Sequence, residues 1–250
     1  MKSYLEKGIR FDSRKFNEWR SPIKIETDIS KSAEGSAKVT LGETEVFAGV
    51  KITVGEPYPD SQDAGVLITG AELSPMASPE FETGPPGEKA IELARVVDRG
   101  IRESKMIDFK KLCIRKGELV WIVFVDIYPL NDAGNLLDAA ALAAISALNS
   151  AVLPKLEKDR VVYGEFTKTK LPIVKTPLTA SAIRIENSFL ADPSSEEEKV
   201  FEAKVTATID ENNNIHAMQK SGEAALSVEE IDKMVDLIIE STKELRKKIK

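Results

Sequence analysis

The sequence predicts an α+β protein of two similar halves in one compact domain spanning residues 1–250. Three observations support this. Each half has strand-like segments followed by a helical segment, the tetrapeptide Ala-Lys-Val-Thr occurs at 37–40 and again at 203–206, and no linker divides the chain. Runs of strands followed by helices are typical of layered α+β architectures. A chain of 250 residues can also bury a core without a disulfide or a metal.

The first half is predicted to begin with a β-hairpin. Residues 37–41 and 46–54 are rich in β-branched residues and flank a turn that contains Gly42, which is typical of two paired strands. Residues 66–68 form a further short strand, and a loop rich in proline and glycine follows at 74–87. Proline and glycine residues at this density end the region of strands.

Two helices and a long strand complete the first half. Residues 88–105 form a helix whose apolar stripe has spacings of three and four and consists of Ile91, Ala94, Val97 and Ile101. Residues 119–128 are apolar without alternation, which predicts a strand covered on both faces. The alanine-rich segment 136–153 carries almost no charge, so we expect a buried helix.

The second half repeats this order of strands and helix. Its strands are predicted at 161–166, 180–186, 200–209 and 215–219. Ser227 and Glu230 form a capping box, which opens a C-terminal helix over about 227–250. At the other end, residues 1–20 or so are dense in charge. We expect them to lie as an arm over the domain rather than in its core.

The composition excludes several kinds of site. The chain has one cysteine, Cys113, and one histidine, His216, so it has neither an internal disulfide nor a usual Cys/His zinc site. No catalytic triad built on histidine is expected, and no cofactor is predicted. A metal would have to be a hard cation held by carboxylates.

The charge and the cysteine content also indicate a compartment and a class of partner. One cysteine favours a reducing compartment, and we expect a cytoplasmic protein. Apolar runs such as residues 120–125 are far shorter than a membrane span. The net charge of −6 argues against a nonspecific nucleic-acid coat protein but allows a local basic patch.

Three arginines on the first long helix are the leading candidate site. Arg95, Arg99 and Arg102 lie within roughly 60° of one another around the helix axis. One guanidinium group can donate two hydrogen bonds to the oxygens of a phosphate, so this face could bind phosphates. Glu92 and Asp98 lie at helical spacing from the arginines, and a salt-bridged surface is the alternative. The spacing alone leaves both interpretations open.

Two further segments could carry chemistry. The acidic run 192–198 contains Asp192 and Glu198, and carboxylates there could hold Mg²⁺ or transfer protons. A solvated loop is the alternative. The turn 132–135 precedes the alanine-rich helix, and helix N-termini can bind anions through backbone N–H groups. A plain turn is the alternative there.

Several motifs in order and spacing resemble one protein family. Residues 8–14, 34–37 and 41–50 resemble the opening of RNase PH-fold proteins. More specific blocks, such as Phe81-Glu82-Thr83-Gly84-Pro85-Pro86-Gly87 and the helix segment 91–104, look like the non-catalytic ring subunit of the archaeal exosome. The remaining matching motifs are at 120–121, 126–128, 134–135 and 137–139. The resemblance extends over nearly the whole chain and implies an RNase PH-like fold.

The resemblance also implies partners and residue roles. It implies a hetero-hexameric ring, a trimer of dimers with a catalytic RNase PH-fold exosome subunit, together with RNA-binding cap subunits. Single-stranded RNA would pass through the ring and be shortened from its 3′ end by phosphorolysis. In this family reading the chain completes the partner's active site and contacts RNA phosphates through Arg95 and Arg99, with Arg102 as a further candidate. It would supply no catalytic residue and no metal ligand.

Two departures from active family members favour a non-catalytic role. Active members carry a Gly-Thr/Ser-Arg type of phosphate loop, where this chain has Ala133-Gly134-Asn135-Leu136. The second aspartate of their catalytic pair corresponds to Glu198 here. Two alternatives stay open: a self-sufficient phosphorolytic or Mg²⁺-dependent exoribonuclease that uses Asp192 and Glu198, and a scaffold with no RNA contact.

Overall fold

The computed structural model describes residues 2–5 and 8–248, and the account below is of those residues. The first half forms a six-stranded sheet in the order β1-β2-β3-β6-β4, with β5 paired to β6 outside this path. The strands are β1 (Ile23–Thr27), β2 (Gly35–Leu41), β3 (Thr44–Gly55), β4 (Val66–Ala71), β5 (Cys113–Arg115) and β6 (Leu119–Asn131). Its β4 pairs parallel to β6, and the other pairs are antiparallel.

The second half forms a four-stranded antiparallel sheet in the order β10-β9-β11-β12 and a separate hairpin of β7 and β8. These strands are β7 (Val152–Glu157), β8 (Arg160–Lys170), β9 (Leu178–Ile185), β10 (Ser188–Ala191), β11 (Ala203–Ile209) and β12 (Ile215–Ser221). The two Ala-Lys-Val-Thr segments both lie in a strand that pairs with the next strand along the chain, β2 with β3 and β11 with β12.

The helices are α1 (Lys2–Leu5), α2 (Glu88–Glu103), α3 (Leu136–Ser150), α4 (Ser195–Glu198) and α5 (Val228–Lys248), with a 3₁₀ helix at Phe109–Leu112. Two of the helices, α2 and α3, contact both sheets. α2 contacts β4, α3 and β12, while α3 contacts β2, β3 and β9. Among the described residues, no helix is both long and apolar enough to cross a membrane.

α3 is the buried centre of the fold, as its composition predicted. Ten of its residues are buried, eight of them from 138 to 145 in one unbroken run. Its small side chains let a strand approach closely: a Cβ added to Gly35 would lie 2.3 Å from the carbonyl oxygen of Ala147. One hydrophobic cluster contains residues of both halves, among them Ala48, Ala140, Ala182 and Ile238. The single domain over 1–250 stays a prediction.

Two predictions about these elements were wrong. Burial alternates along β6 instead of covering both faces, and Tyr128 is 39% exposed on its open face. Ile91 is 47% exposed, because the buried side of α2 is centred on Leu93, Val97 and Ile101. The apolar stripe of α2 therefore includes Leu93 instead of the predicted Ile91.

The N-terminal arm was also predicted wrongly as lying outside the core. Arg10 is fully buried, and Trp19 is part of the main hydrophobic cluster. The Trp19 indole N–H donates to the carbonyl of Ser241 at 3.0 Å. The arm therefore packs between elements of the second half. Residues 1, 6 and 7 of the predicted arm and residues 249–250 of the predicted C-terminal helix lie outside the described residues.

Candidate functional site

Arg95 and Arg99 lie on the outer face of α2, one helical turn apart. The helix buries its opposite face against β4, α3 and β12, so both side chains are exposed. Neither makes a hydrogen bond or ion pair with any residue the structure describes. Side chains at this spacing are about 6 Å apart. The face therefore carries two adjacent guanidinium groups whose charge is not compensated by direct contacts.

Arg102 differs from the other two arginines because its guanidinium has partners. Its Nε and Nη2 donate to the two carboxylate oxygens of Asp98, both at 3.1 Å. Nη2 also donates to the carbonyl of Leu67 at 3.1 Å, and Asp98 accepts a further bond from the Thr69 hydroxyl. Arg102 is thus held against β4 with its charge neutralised, and its RNA contact stays a prediction.

The acidic residues at helical spacing neutralise only part of the arginine row. Asp98 forms its ion pair with Arg102. Glu92 accepts a hydrogen bond from Nε2 of Gln219 on β12 at 2.7 Å. The salt-bridged surface considered as an alternative therefore exists at Arg102, and Arg95 and Arg99 are outside it.

Asp192 is buried and surrounded by donors of the chain itself. Its carboxylate accepts hydrogen bonds from Nη1 of Arg14 at 3.0 Å, from the backbone N–H and Nη2 of Arg20 at 2.6 and 3.0 Å, and from Nδ2 of Asn135 at 2.8 Å. It is 0% exposed. This residue is therefore neither part of a solvated loop nor open to a substrate.

Glu198 is also engaged within the chain. One carboxylate oxygen accepts from Nζ of Lys204 at 2.9 Å, and the other accepts from the backbone N–H of Asn135 at 3.1 Å. Asn135 is the N-cap of α3. Its backbone N–H, one of the donors that could bind an anion at this helix N-terminus, is therefore occupied by Glu198 of the chain itself. Burial by itself lowers the pKa of Lys204, but the charges of Glu198 and Asp138 outweigh burial and raise it.

Asp138 is a buried titratable residue that the sequence analysis did not single out. It lies in the first turn of α3, and its carboxylate accepts from the backbone N–H and hydroxyl of Ser181 at 2.8 and 2.7 Å and from Nδ2 of Asn135 at 2.9 Å. Burial raises its pKa to about 6, although Lys204 and these hydrogen bonds act in the opposite direction. The residue therefore titrates at a far higher pH than in an unfolded chain.

Replacing Asp138 with asparagine is expected to remove a contribution to stability that is lost as pH rises. Between pH 3.8 and about 6 the folded wild type binds more protons at Asp138 than the unfolded chain, so its free energy of unfolding falls as pH rises through this window. The whole change is about 3 kcal/mol at 1.36 kcal/mol per pKa unit. Urea unfolding of both proteins at pH 4 and pH 7 measures it; a difference between the two proteins that is the same at both pH values would contradict it.

The remaining candidates have structural surroundings. His216 Nε2 lies 2.9 Å from the carboxylate of Asp210. Burial would raise the pKa of Asp210, but hydrogen bonds from His216, Asn214 and the backbone hold it well below its usual range. Cys113 is half-buried and unpaired. Within the described part of the chain, no group of three or more acidic, cysteine or histidine side chains is placed to hold a metal ion.

Comparison with known proteins places the chain in a family. Two family models match it, one for domain 1 of the 3′ exoribonuclease family over residues 20–154 and one for domain 2 over residues 175–240. The chain belongs to the 3′ exoribonuclease (RNase PH) family. The two matches coincide with the two halves of the fold, so the predicted RNase PH-like α+β architecture is confirmed.

Close relatives within the RNase PH family are exosome proteins. "Exosome complex component Rrp42" of Archaeoglobus fulgidus is 49% identical over 99% of this chain and 93% of its own length, and that of Methanosarcina acetivorans is 49% identical over 96% and 88%. The structure of the A. fulgidus exosome with RNA bound to the active site contains a chain that matches with a TM-score of 0.91 and 48% identity, over 99% of this chain and 95% of that one.

Proposed function

We propose that this RNase PH-family chain is the non-catalytic subunit of a hexameric exosome ring that degrades RNA from the 3′ end. The observation that carries the proposal is the exposed pair Arg95 and Arg99, which has no partner among the described residues, on a chain that closely matches part of an RNA-bound archaeal exosome. Because Arg forks match phosphate geometry, the pair binds two neighbouring phosphates of single-stranded RNA. Contacts to the backbone carry little sequence preference.

A role without catalysis is supported by the surroundings of the two carboxylates. Five donor groups from Arg14, Arg20 and Asn135 donate to Asp192, and Lys204 and Asn135 donate to Glu198. Since both are held by the chain's own donors, neither is poised to activate phosphate or transfer a proton. The alternative of a self-sufficient exoribonuclease that uses this pair is therefore not favoured.

The partners follow from the relatives that are exosome components. The chain assembles with a catalytic RNase PH-fold subunit, three copies of each alternating in the ring, and it completes that subunit's active site. RNA-binding cap subunits cover one face of the ring. Interfaces of obligate complexes bury more than about 2,000 Å², and the exposed Gly84–Pro86 loop is a candidate element of such an interface. The single cysteine supports a cytoplasmic location.

Replacing Arg95 and Arg99 with glutamine is expected to weaken RNA binding by the assembled ring and to slow RNA shortening. Each lost phosphate contact makes the slope of log affinity against log salt less steep by about 0.7 for single strands, so the double variant loses about 1.4. The measurement is the affinity for a labelled oligoadenylate at several salt concentrations, on rings whose assembly is verified by native mass spectrometry.

Arg102→Gln is the matched control on the same helix face. Its charge is already paired with Asp98, so we expect a smaller change in salt slope. The chain on its own, incubated with RNA, phosphate and Mg²⁺, should release no nucleoside diphosphate, whereas the ring should. Unchanged affinity and slope in intact double-variant rings, or phosphorolysis by the repurified chain alone, would sink the proposal.

A further inference from the structure

We infer that the hollow between α2 and β12 holds a nucleobase of the RNA whose phosphates contact Arg95 and Arg99. This inference rests on the proposed function and adds a second contact to it. The hollow has a volume of about 300 Å³ and is lined by the apolar Ile91 and Val96, by Gln219, by the two arginines and by Glu88 and Glu92. That volume is at the small end of ligand sites. The two unpaired arginines form one of its borders.

Ile91 provides the apolar surface of this hollow. It is 47% exposed and lies one helical turn before Arg95, on a face that otherwise carries charged side chains. A nucleotide has an anionic phosphate next to a flat apolar base. The helix has the cations Arg95 and Arg99 next to the apolar Ile91, so phosphate and base can each contact a matching surface. Bases pack on apolar as well as aromatic side chains, so the match is one of both charge and polarity.

The opposite side of the arginine pair offers no comparable surface. A second hollow of about 270 Å³ is lined there by Thr69, Asp98 and Arg102, together with Ala94 and Glu103. Asp98 and Arg102 pair with each other there, and the lining of this hollow has no large apolar side chain on which a base could pack. The base is therefore directed to the side of Ile91.

Gln219 gives the edge of the base a polar partner. The Glu92 carboxylate can only accept, so the hydrogen bond at 2.7 Å fixes Nε2 of Gln219 toward Glu92. The amide Oε1 then lies on the other side, and it has no hydrogen-bond partner among the described residues. A carbonyl oxygen held in this way can accept from the amino group of a base. A partner protein covering Ile91 is the competing occupant.

Replacing Ile91 with alanine tests the inference on the assembled ring. We expect the affinity for oligoadenylate to fall about fivefold, the lower end of what a stacked base contributes, while the salt slope stays unchanged because no phosphate contact is lost. A series of oligoadenylates with one abasic position each identifies the base: abasic substitution at one position should weaken wild-type binding and have little further effect in Ile91→Ala rings. Ile29→Ala is the control, since Ile29 is 39% exposed and does not line the hollow.

The outcomes separate this inference from the proposed function. If the double arginine variant lowers the salt slope but Ile91→Ala binds like the wild type at every abasic position, the base subsite is wrong and the phosphate contacts stand. If Ile91→Ala instead impairs ring assembly and leaves RNA affinity per intact ring unchanged, a partner protein covers Ile91 and the inference is overturned. If the arginine variant has no effect either, the proposed function fails.

Discussion

Replacing Arg10 with methionine is expected to destabilise the folded chain by about 3–5 kcal/mol, the usual cost of leaving a buried charge without its partner. Arg10 is 0% exposed, and its Nε and Nη2 donate to the two carboxylate oxygens of Glu197. Its guanidinium also donates to the carbonyls of Ala191 and Asp192 at 2.9 and 3.0 Å. The variant leaves Glu197, which is 1% exposed, as a buried anion without its main counter-charge.

Two control variants separate the loss of a buried partner from a general effect of removing arginine. Arg14→Met also removes a partner of a buried carboxylate, but Asp192 keeps Arg20 and Asn135, so we expect less than half the effect. The double variant Arg10→Met with Glu197→Gln removes both charges of this pair and should recover part of the stability. Urea unfolding gives the free energies. A cost for Arg10→Met below about 1 kcal/mol, typical of an exposed pair, would contradict the prediction.

Gly134→Ala is expected to cost about 2–4 kcal/mol, the sum of a strained backbone and an overpacked contact. Gly134 has a φ of +97°, and an added Cβ would lie 2.4 Å from the backbone nitrogen of Ser195 and 2.9 Å from the carbonyl oxygen of Pro193. Because these are backbone atoms, the segment before α4 must move as a whole. Such a shift also disturbs Glu198, which accepts from the neighbouring Asn135.

Gly164→Ala is the matched control for the backbone component. Gly164 has a φ of +82° in β8, but nothing lies within 4 Å of its added Cβ. This variant should therefore show only the conformational cost, about 1 kcal/mol. Equal losses for the two variants in urea unfolding would show that the close approach at Gly134 contributes nothing.

Elements set by local patterns could be predicted from the sequence. The hairpin of β2 and β3 and the capping box of α5 are of this kind: Glu230 N–H donates to the Ser227 hydroxyl, and Ser227 N–H donates to the Glu230 carboxylate. β1, β5, β7 and β10 were missed. They are only three to six residues long, and short strands depend on their neighbours for pairing more than on their own sequence.

In the candidate site, too, features set by local spacing could be predicted and features set by distant contacts could not. Arg95, Arg99 and Arg102 could be placed on one face because helical spacing is local. Which of them is free could not be predicted, since Arg102 is held partly by Leu67 and Glu92 is bound by Gln219, both far away in sequence. Asp138 gave no local signal either, because its raised pKa comes from burial by elements that meet only in the folded chain.

The arm also has a consequence for the order in which the protein is made. Arg10 precedes its partner Glu197 by 187 residues, so at 5–20 residues per second a ribosome adds Arg10 roughly 10–40 s before it adds Glu197. During that interval the first half can pair its strands, whereas the arginine stays hydrated in the absence of its carboxylate. The interval between Trp19 and its partner Ser241 is longer still, because 222 residues separate them. Arg10 and Trp19 are therefore synthesised long before the residues that they contact in the folded chain.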